Sequence, residues 1–203
     1  CAELSVRGWT TSGVDASREM VELARSRLPE AARRLHVASI EALPFGDASF
    51  DAVTATGVLE YADLTAALTE IARVLRPGGV AVVSYPNPRA LYGAWKTRAW
   101  YPAVRATKRA FRTSNPGVPH GAGEQPPERF VALLAAAGLV PGSVIHASYM
   151  AVPTPFECIA PRAASRLAAH LEARAPRGGR RLATQLVYRA RRSGEPPDGG
   201  GEA

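Results

Sequence analysis

The chain has 203 residues, 46% of them hydrophobic and 21% charged, and a formal net charge of +7. That length suits one domain with its own core, and the apolar fraction excludes a wholly disordered chain. No run of about 18 apolar residues offers a transmembrane helix, and no basic start followed by an apolar stretch signals a secretory leader.

Two cysteines, Cys1 and Cys158, are too few for a disulfide scaffold or a zinc site. The cytoplasm is the expected compartment, and no metal is expected.

In chain order, residues 2–7 read as the tail of a helix closed by Gly8 in a left-handed cap. Thr10 to Val14 is a short strand. Ser17 is placed to cap a helix whose Met20, Leu23, Ala24 and Leu28 share one face, and Pro29 ends it. Leu35 to Ala38 is a strand, Ser39 to Phe45 a loop, and Phe50 to Ala55 a buried strand. Asp63 caps a helix that turns Leu64, Leu68, Ile71, Ala72 and Leu75 inward. Arg76-Pro77-Gly78-Gly79 stops that helix and leads into the apolar strand Val80 to Ser84, a run suited to a sheet covered on both faces.

The second half is less regular. Residues 89–112 read as a helix, 113–127 as a Pro- and Gly-rich loop, and Pro127 to Ala137 as a helix closed by Gly138. Val140 to Ser148 is a strand interrupted at Pro141-Gly142. Residues 161–175 form an arginine-bearing helix, Leu182 to Ala190 a last strand, and 193–203 a disordered tail.

Charge divides the same way, with −4 over residues 1–75 and +11 over 76–203. Residues 89–113 carry seven basic side chains and no acid; residues 162–192 carry nine arginines against Glu172 alone. Such clusters meet nucleic acid, an anionic membrane face or an acidic substrate, or are simply solvated helix faces.

Repeated strand-helix-strand units with short connections imply a doubly wound, mostly parallel α/β sheet with its ligand beyond the carboxyl ends of the strands. Those ends are Asp15, Ser39, Ala55-Thr56 and Ser84-Tyr85. A carboxylate at a strand tip can accept both hydroxyls of a ribose, or merely help cap the next helix. A nicotinamide enzyme would place an acid the same way.

Four segments together resemble a known family. Asp15-Ala16-Ser17-Arg18-Glu19-Met20, the run from Ile40 to Asp51, Gly57-Val58-Leu59-Glu60-Tyr61, and Glu70 to Gly79 are similar to class I S-adenosylmethionine-dependent methyltransferases. The branch they resemble comprises bacterial small-molecule enzymes of the ubiquinone/menaquinone type. The resemblance is dense over residues 8–88 and weak afterwards.

It implies a Rossmann-like fold and S-adenosylmethionine as cofactor. Asp15 would hold the ribose hydroxyls, with Ala16 beside the adenine and Met20 near it. Ser39 and Ile40 stand where the family has an acid and an apolar residue against the adenine. Thr56 and Gly57 would pass close to the methionine part. Ser39 in place of the acid makes a neutral hydrogen bond where a charge-assisted one is usual, a difference of about 1 kcal/mol.

The family's first strand and glycine-rich loop have no counterpart here, since Cys1 to Val6 matches the helix that follows them. The expectation is a methyltransferase domain over 1–192, incomplete at its N-terminus, with the absent strand lying between those ending at Asp15 and Ala55. Lid or substrate-facing insertions are expected near 89–125 and 148–178.

No residue is assigned to catalysis. His120 sits in a loop that often borders the acceptor pocket, but also reads as a solvent-exposed histidine. His36 and His146 read as structural, and His170 lies on a basic helix face. Tyr61, Tyr85 and Tyr149 are candidate pocket liners.

The leading reading is methyl transfer to a small or amphipathic metabolite. The alternatives are a remnant or non-catalytic partner without cofactor binding and, behind these, an NAD-dependent oxidoreductase. No nucleic-acid partner is expected. Trp95, Trp100, Tyr101 and Phe111 among basic residues allow peripheral membrane contact or ordinary packing.

Overall fold

Ser17 and Asp63 each place a side-chain oxygen where the first turn of a helix has unpaired N–H groups. Ser17 Oγ accepts from the Met20 N–H at 3.3 Å, and Asp63 Oδ1 from the Ala66 N–H at 3.0 Å. The helices they start are α2 (Arg18–Arg27) and α3 (Leu64–Val74). A computed structural model describes residues 2–91, 125–149, 165, 166, 169, 170, 181 and 183–194.

The N-terminal part begins with α1 (Ala2–Val6), which closes as expected at Gly8, whose φ is +84°. Two short strands, β1 (Gly13–Asp15) and β2 (Leu35–Val37), pair in parallel, Gly13 opposite Leu35 and Asp15 opposite Val37. Between them α2 is followed by a 3-10 helix at Pro29–Arg34.

The inner face of α2 differs from expectation. Val21 is its buried residue, whereas Met20 and Leu23 are 53% and 43% exposed. Two strands of three residues offer only a narrow seat, so the wider apolar stripe has nothing to cover.

The remaining strands form a second sheet in the order β3 (Phe50–Ala55), β4 (Leu75–Pro86), β6 (Ala183–Arg192), β5 (Leu139–Tyr149). β3 and β4 run parallel, while β6 runs antiparallel to both its neighbours. Its core joins Leu68, Ile71 and Leu75 to Phe130 and Leu134 of α4 (Pro127–Ala136) and to Leu186 and Tyr188 of β6. Tyr85 stacks on Phe130 with centroids 4.6 Å apart, and Phe130 meets Tyr188 at 4.9 Å.

β4 is longer than expected because the chain is already extended through Arg76-Pro77-Gly78-Gly79, where its register against β3 shifts. Gly78 has a φ of +77°. A Cβ on Gly79 would stand 2.8 Å from the Arg76 carbonyl oxygen and 3.1 Å from that of Asp51, so only glycine fits without movement. Pro141 and Gly142 do disturb β5, whose register shifts between Pro141 and Val144.

β3 corrects a second expectation. Its sequence reads as a buried strand, yet Ala55 is its one buried residue, and Ala52 and Thr54 are exposed. The cause is topological. β3 ends its sheet, β1 pairs with β2 alone, and among the described residues no strand joins the two sheets. That gap is where the sequence reading placed an absent strand.

Most of 89–125, 148–178 and 193–203 lies outside the described residues, as do His120, Trp95, Trp100, Tyr101 and Phe111.

Candidate functional site

A cleft of about 690 Å³ runs along the gap between β1 and β3. One wall is Gly13-Val14-Asp15-Ala16, the facing wall is Ala52 to Thr56 with Val82 behind, and the loop after β2 closes one end through Ser39, Ile40, Glu41, Leu43 and Phe45. The size falls within the ordinary range for small-molecule sites, about 300–1,000 Å³.

The chain reaches these positions for local reasons. β1 is short because Asp15 turns the backbone: its Oδ1 accepts the Ser17 N–H at 2.8 Å, and Ser17 then caps α2. The carboxylate is left exposed at the tip of the strand. Both readings of Asp15 thus remain compatible, since one oxygen can brace the turn while the group faces a ligand.

Across the cleft tip, Ser39 Oγ donates to Glu41 Oε2 at 3.0 Å and accepts from the Glu41 N–H at 3.3 Å. Ile40 is half-buried against the core cluster. After β3, Gly57 takes a φ of +69° and donates its N–H to the buried Ser84 Oγ at 2.9 Å, which fixes the turn carrying Thr56.

Asp15, Ala16, Ser39, Ile40 and Thr56 therefore meet in one cleft. Met20 and Gly57 are not among its lining residues; Met20 lies on the exposed side of α2, and Gly57 serves the backbone turn. Tyr61 lines the cleft and is 60% exposed, but Tyr85 does not, because it is buried against Phe130 and its hydroxyl accepts the Gln125 N–H at 3.2 Å. His36 sits in β2 edge-on to Phe45 at 5.4 Å. His146 is half-buried in β5, and Tyr149 belongs to the same strand.

Two lining groups escaped the sequence reading. Glu41 brings a carboxylate two residues from the position where Ser39 replaces one. It is tied to α3 as well, its Oε1 accepting the Asp63 N–H at 2.6 Å. Trp9, 56% exposed, adds an aromatic face. The available signals were an acid beside the serine and an aromatic directly after a helix-closing glycine.

The lining holds two carboxylates, Asp15 and Glu41, and neither Lys nor Arg. Among the described residues, a lining of this sign attracts cations and nucleoside hydroxyls.

Comparison with known proteins agrees with this geometry. Residues 1–83 match the family model described as a methyltransferase domain. Over these residues the chain is similar to that family.

Among curated relatives, the ubiquinone/menaquinone biosynthesis C-methyltransferase of Geotalea uraniireducens is 45% identical over 83 residues, which is 38% of this chain and 35% of that protein. The demethylmenaquinone methyltransferase of Chlorobaculum parvum is 38% identical over 82 residues, 40% of this chain and 33% of that one. The chain thus spans about a third of the length of the methyltransferases it matches.

Among solved structures, a SAM-dependent methyltransferase from Methanosarcina mazei superposes with a TM-score of 0.59 at 16% identity, covering 96% of this chain and 87% of that one. The geranyl diphosphate C-methyltransferase of Streptomyces coelicolor gives 0.56 at 19% identity, covering 94% and 66%. These likenesses show a Rossmann-like fold that extends beyond the residues that the family model matches.

Proposed function

We propose that this chain binds S-adenosylmethionine in the cleft and serves methyl transfer to a small or amphipathic acceptor. The observation that carries this reading is the exposed Asp15 carboxylate at the tip of β1, sharing a cleft with Ile40 and Glu41 of the loop after β2.

The residues suit the adenosine half of the cofactor. Asp15 would accept the ribose hydroxyls, Ile40 would pack on the purine with Ala16 beside it, and Ser39 would meet its amino edge. Thr56 would lie by the sulfur. When bound, the cofactor supplies an electrophilic methyl group on a sulfonium sulfur. The negative lining favours that positive centre. Methyl transfer to a good nucleophile needs alignment and desolvation more than acid-base help, and among the described residues no histidine lines the cleft.

Thermal unfolding with and without S-adenosylhomocysteine, with NAD as control, tests the reading. At about 100 times the dissociation constant a ligand stabilises by about 2.7 kcal/mol, which moves the midpoint of a domain of this size by about 5–10 °C. A shift with S-adenosylhomocysteine alone supports the proposal. No shift favours a non-catalytic protein, and a shift with NAD alone an oxidoreductase.

We also infer that an extended strand belongs between β1 and β3, completing one sheet. The support is that both edges line the same cleft and that, among the described residues, neither is paired on that side. Adding such a strand to the chain should protect the Ala52–Ala55 amides from exchange; unchanged exchange there would refute it.

A further inference from the structure

α3 lies mostly behind the cleft, yet its polar face holds the loop that closes the cleft. Glu70 and Arg73, one turn apart, share that face. Arg73 Nε and Nη2 donate to the two carboxylate oxygens of Glu70 at 2.7 and 2.8 Å. The same guanidinium reaches the loop itself: Nη2 donates to the Leu43 carbonyl at 3.1 Å, and Nη1 to the Phe45 carbonyl at 2.8 Å and to Asp47 Oδ1 at 2.7 Å.

Five contacts match the five N–H donors of a guanidinium, so the side chain is fully committed. Glu70 completes the clamp by accepting the Leu43 N–H at 2.8 Å. The Arg73 carbonyl also receives the Ala48 N–H at 3.0 Å.

Elsewhere the loop is held by side chains: Glu41 Oε1 accepts the Asp63 N–H at 2.6 Å, Ile40 packs on the core, and Phe45 meets His36 and Phe50 edge-on at 5.4 and 4.8 Å, ties that leave the Leu43 and Phe45 backbone groups to the pair. Its backbone bonds within 39–47 run from Ala42 N–H to the Ser39 carbonyl and from Phe45 N–H to the Leu43 carbonyl. Neither spans the loop, and neither ties it to the body of the protein. Leu43 and Phe45 line the cleft beside Ser39, Ile40 and Glu41, so whatever sets their backbone sets that wall.

We propose that Glu70 and Arg73 are positioning residues for cofactor binding: without touching the ligand, they hold the Leu43–Asp47 backbone and thereby the wall carrying Ser39, Ile40 and Glu41. This rests on the cofactor reading above for its ligand, but the loop's dependence on the pair stands apart from it.

The pair works as a unit because its charges and shape are matched. A lysine at 73 has three donors on a flexible stem and cannot bridge two carbonyls and two carboxylates in one plane. A glutamine at 70 keeps an acceptor for the Leu43 N–H and loses only the ionic part.

The test measures S-adenosylhomocysteine affinity by calorimetry, well below the unfolding midpoint, on the whole chain and its Arg73→Lys and Glu70→Gln variants. Amide exchange is followed in parallel. Arg73→Lys should weaken binding about tenfold or more and speed exchange at Leu43 and Phe45, while β4 and β6 keep their protection. Glu70→Gln should fall between that variant and the parent.

Parent-like affinity and parent-like loop exchange in Arg73→Lys would overturn the proposal. Loss of protection in β4 and β6 as well would make the pair a general structural brace and overturn it too. If the parent binds no S-adenosylhomocysteine, the cofactor reading fails and the affinity claim with it, while loop exchange still decides whether the pair positions the wall.

Discussion

The sheet β3-β4-β6-β5 and the sheet β1-β2 are built from similar residues and are held very differently. The first has α3 and α4 against it and a continuous core from Leu59 through Phe130 to Ala190. Among the described residues the second has α2 and the short 3-10 helix, with Val21, Ala31 and Leu35 buried there and none of them part of that core. Yet the cleft takes one wall from each. The lesson is that binding here depends on the placement of a weakly held layer against a strongly held one. A ligand that touches both walls stabilises mainly the weaker.

The largest effect should come from the strong side. Phe130 is fully buried between Tyr85 and Tyr188, and Phe130→Ala should cost about 3–5 kcal/mol in urea unfolding. A cost under 1 kcal/mol would mean that the four-stranded core is far looser than its packing. Val21→Ala, on the weak side, should cost about 1–2 kcal/mol, with the loss confined to faster amide exchange in β1 and β2. If β4 and β6 exchange faster as well, the two sheets unfold as one body and the contrast is broken.

Next in size, Asp15→Asn keeps an oxygen for the Ser17 N–H but removes the charge offered to the ribose. Its S-adenosylhomocysteine affinity should fall about tenfold, roughly 1.4 kcal/mol, with little change in the unfolding midpoint. An unchanged affinity would leave Asp15 as a turn residue only.

Smallest is a pH effect. The Arg73 hydrogen bonds hold the Glu70 carboxyl below its usual range, helped by the Leu43 N–H and opposed by partial burial. A depressed carboxyl contributes stability that is complete above its unfolded pKa, about 4.3, and is lost as pH falls through the lower folded value. The stability of Glu70→Gln should therefore fall less steeply below pH 4.3 than the parent's. Parallel acid limbs would show that the pair carries no such linkage.

Much of this was legible in the residues. The caps at Ser17 and Asp63, the glycine stops at Gly8 and Gly138 and the exact span of β3 follow from local chemistry that tertiary packing does not disturb. The position of Asp15 at a strand tip was legible because strand tips recur at set positions in a wound sheet, whereas Ile40 was reached only through the family resemblance. What failed was whatever depended on a neighbour. Periodicity put Met20 and Leu23 on one face of α2 with Ala24 and Leu28, but cannot tell how much sheet lies beneath a helix. It read Ala52 and Thr54 as covered, but cannot see that β3 ends its sheet. Glu41 and the Glu70–Arg73 clamp were missed because they act across 22 to 30 residues of chain, where no local spacing shows them.

The exposed edge of β3 has a practical consequence. Phe50-Asp51-Ala52-Val53-Thr54-Ala55 carries neither lysine nor proline, and among the described residues no strand pairs with its outward edge. Such an edge is a template for any other extended chain, another molecule of the same protein included. Concentrated stocks of these 203 residues should therefore associate edge to edge and precipitate as β-rich material. Solubility during purification would then be governed by six residues of one strand more than by the +7 charge carried elsewhere.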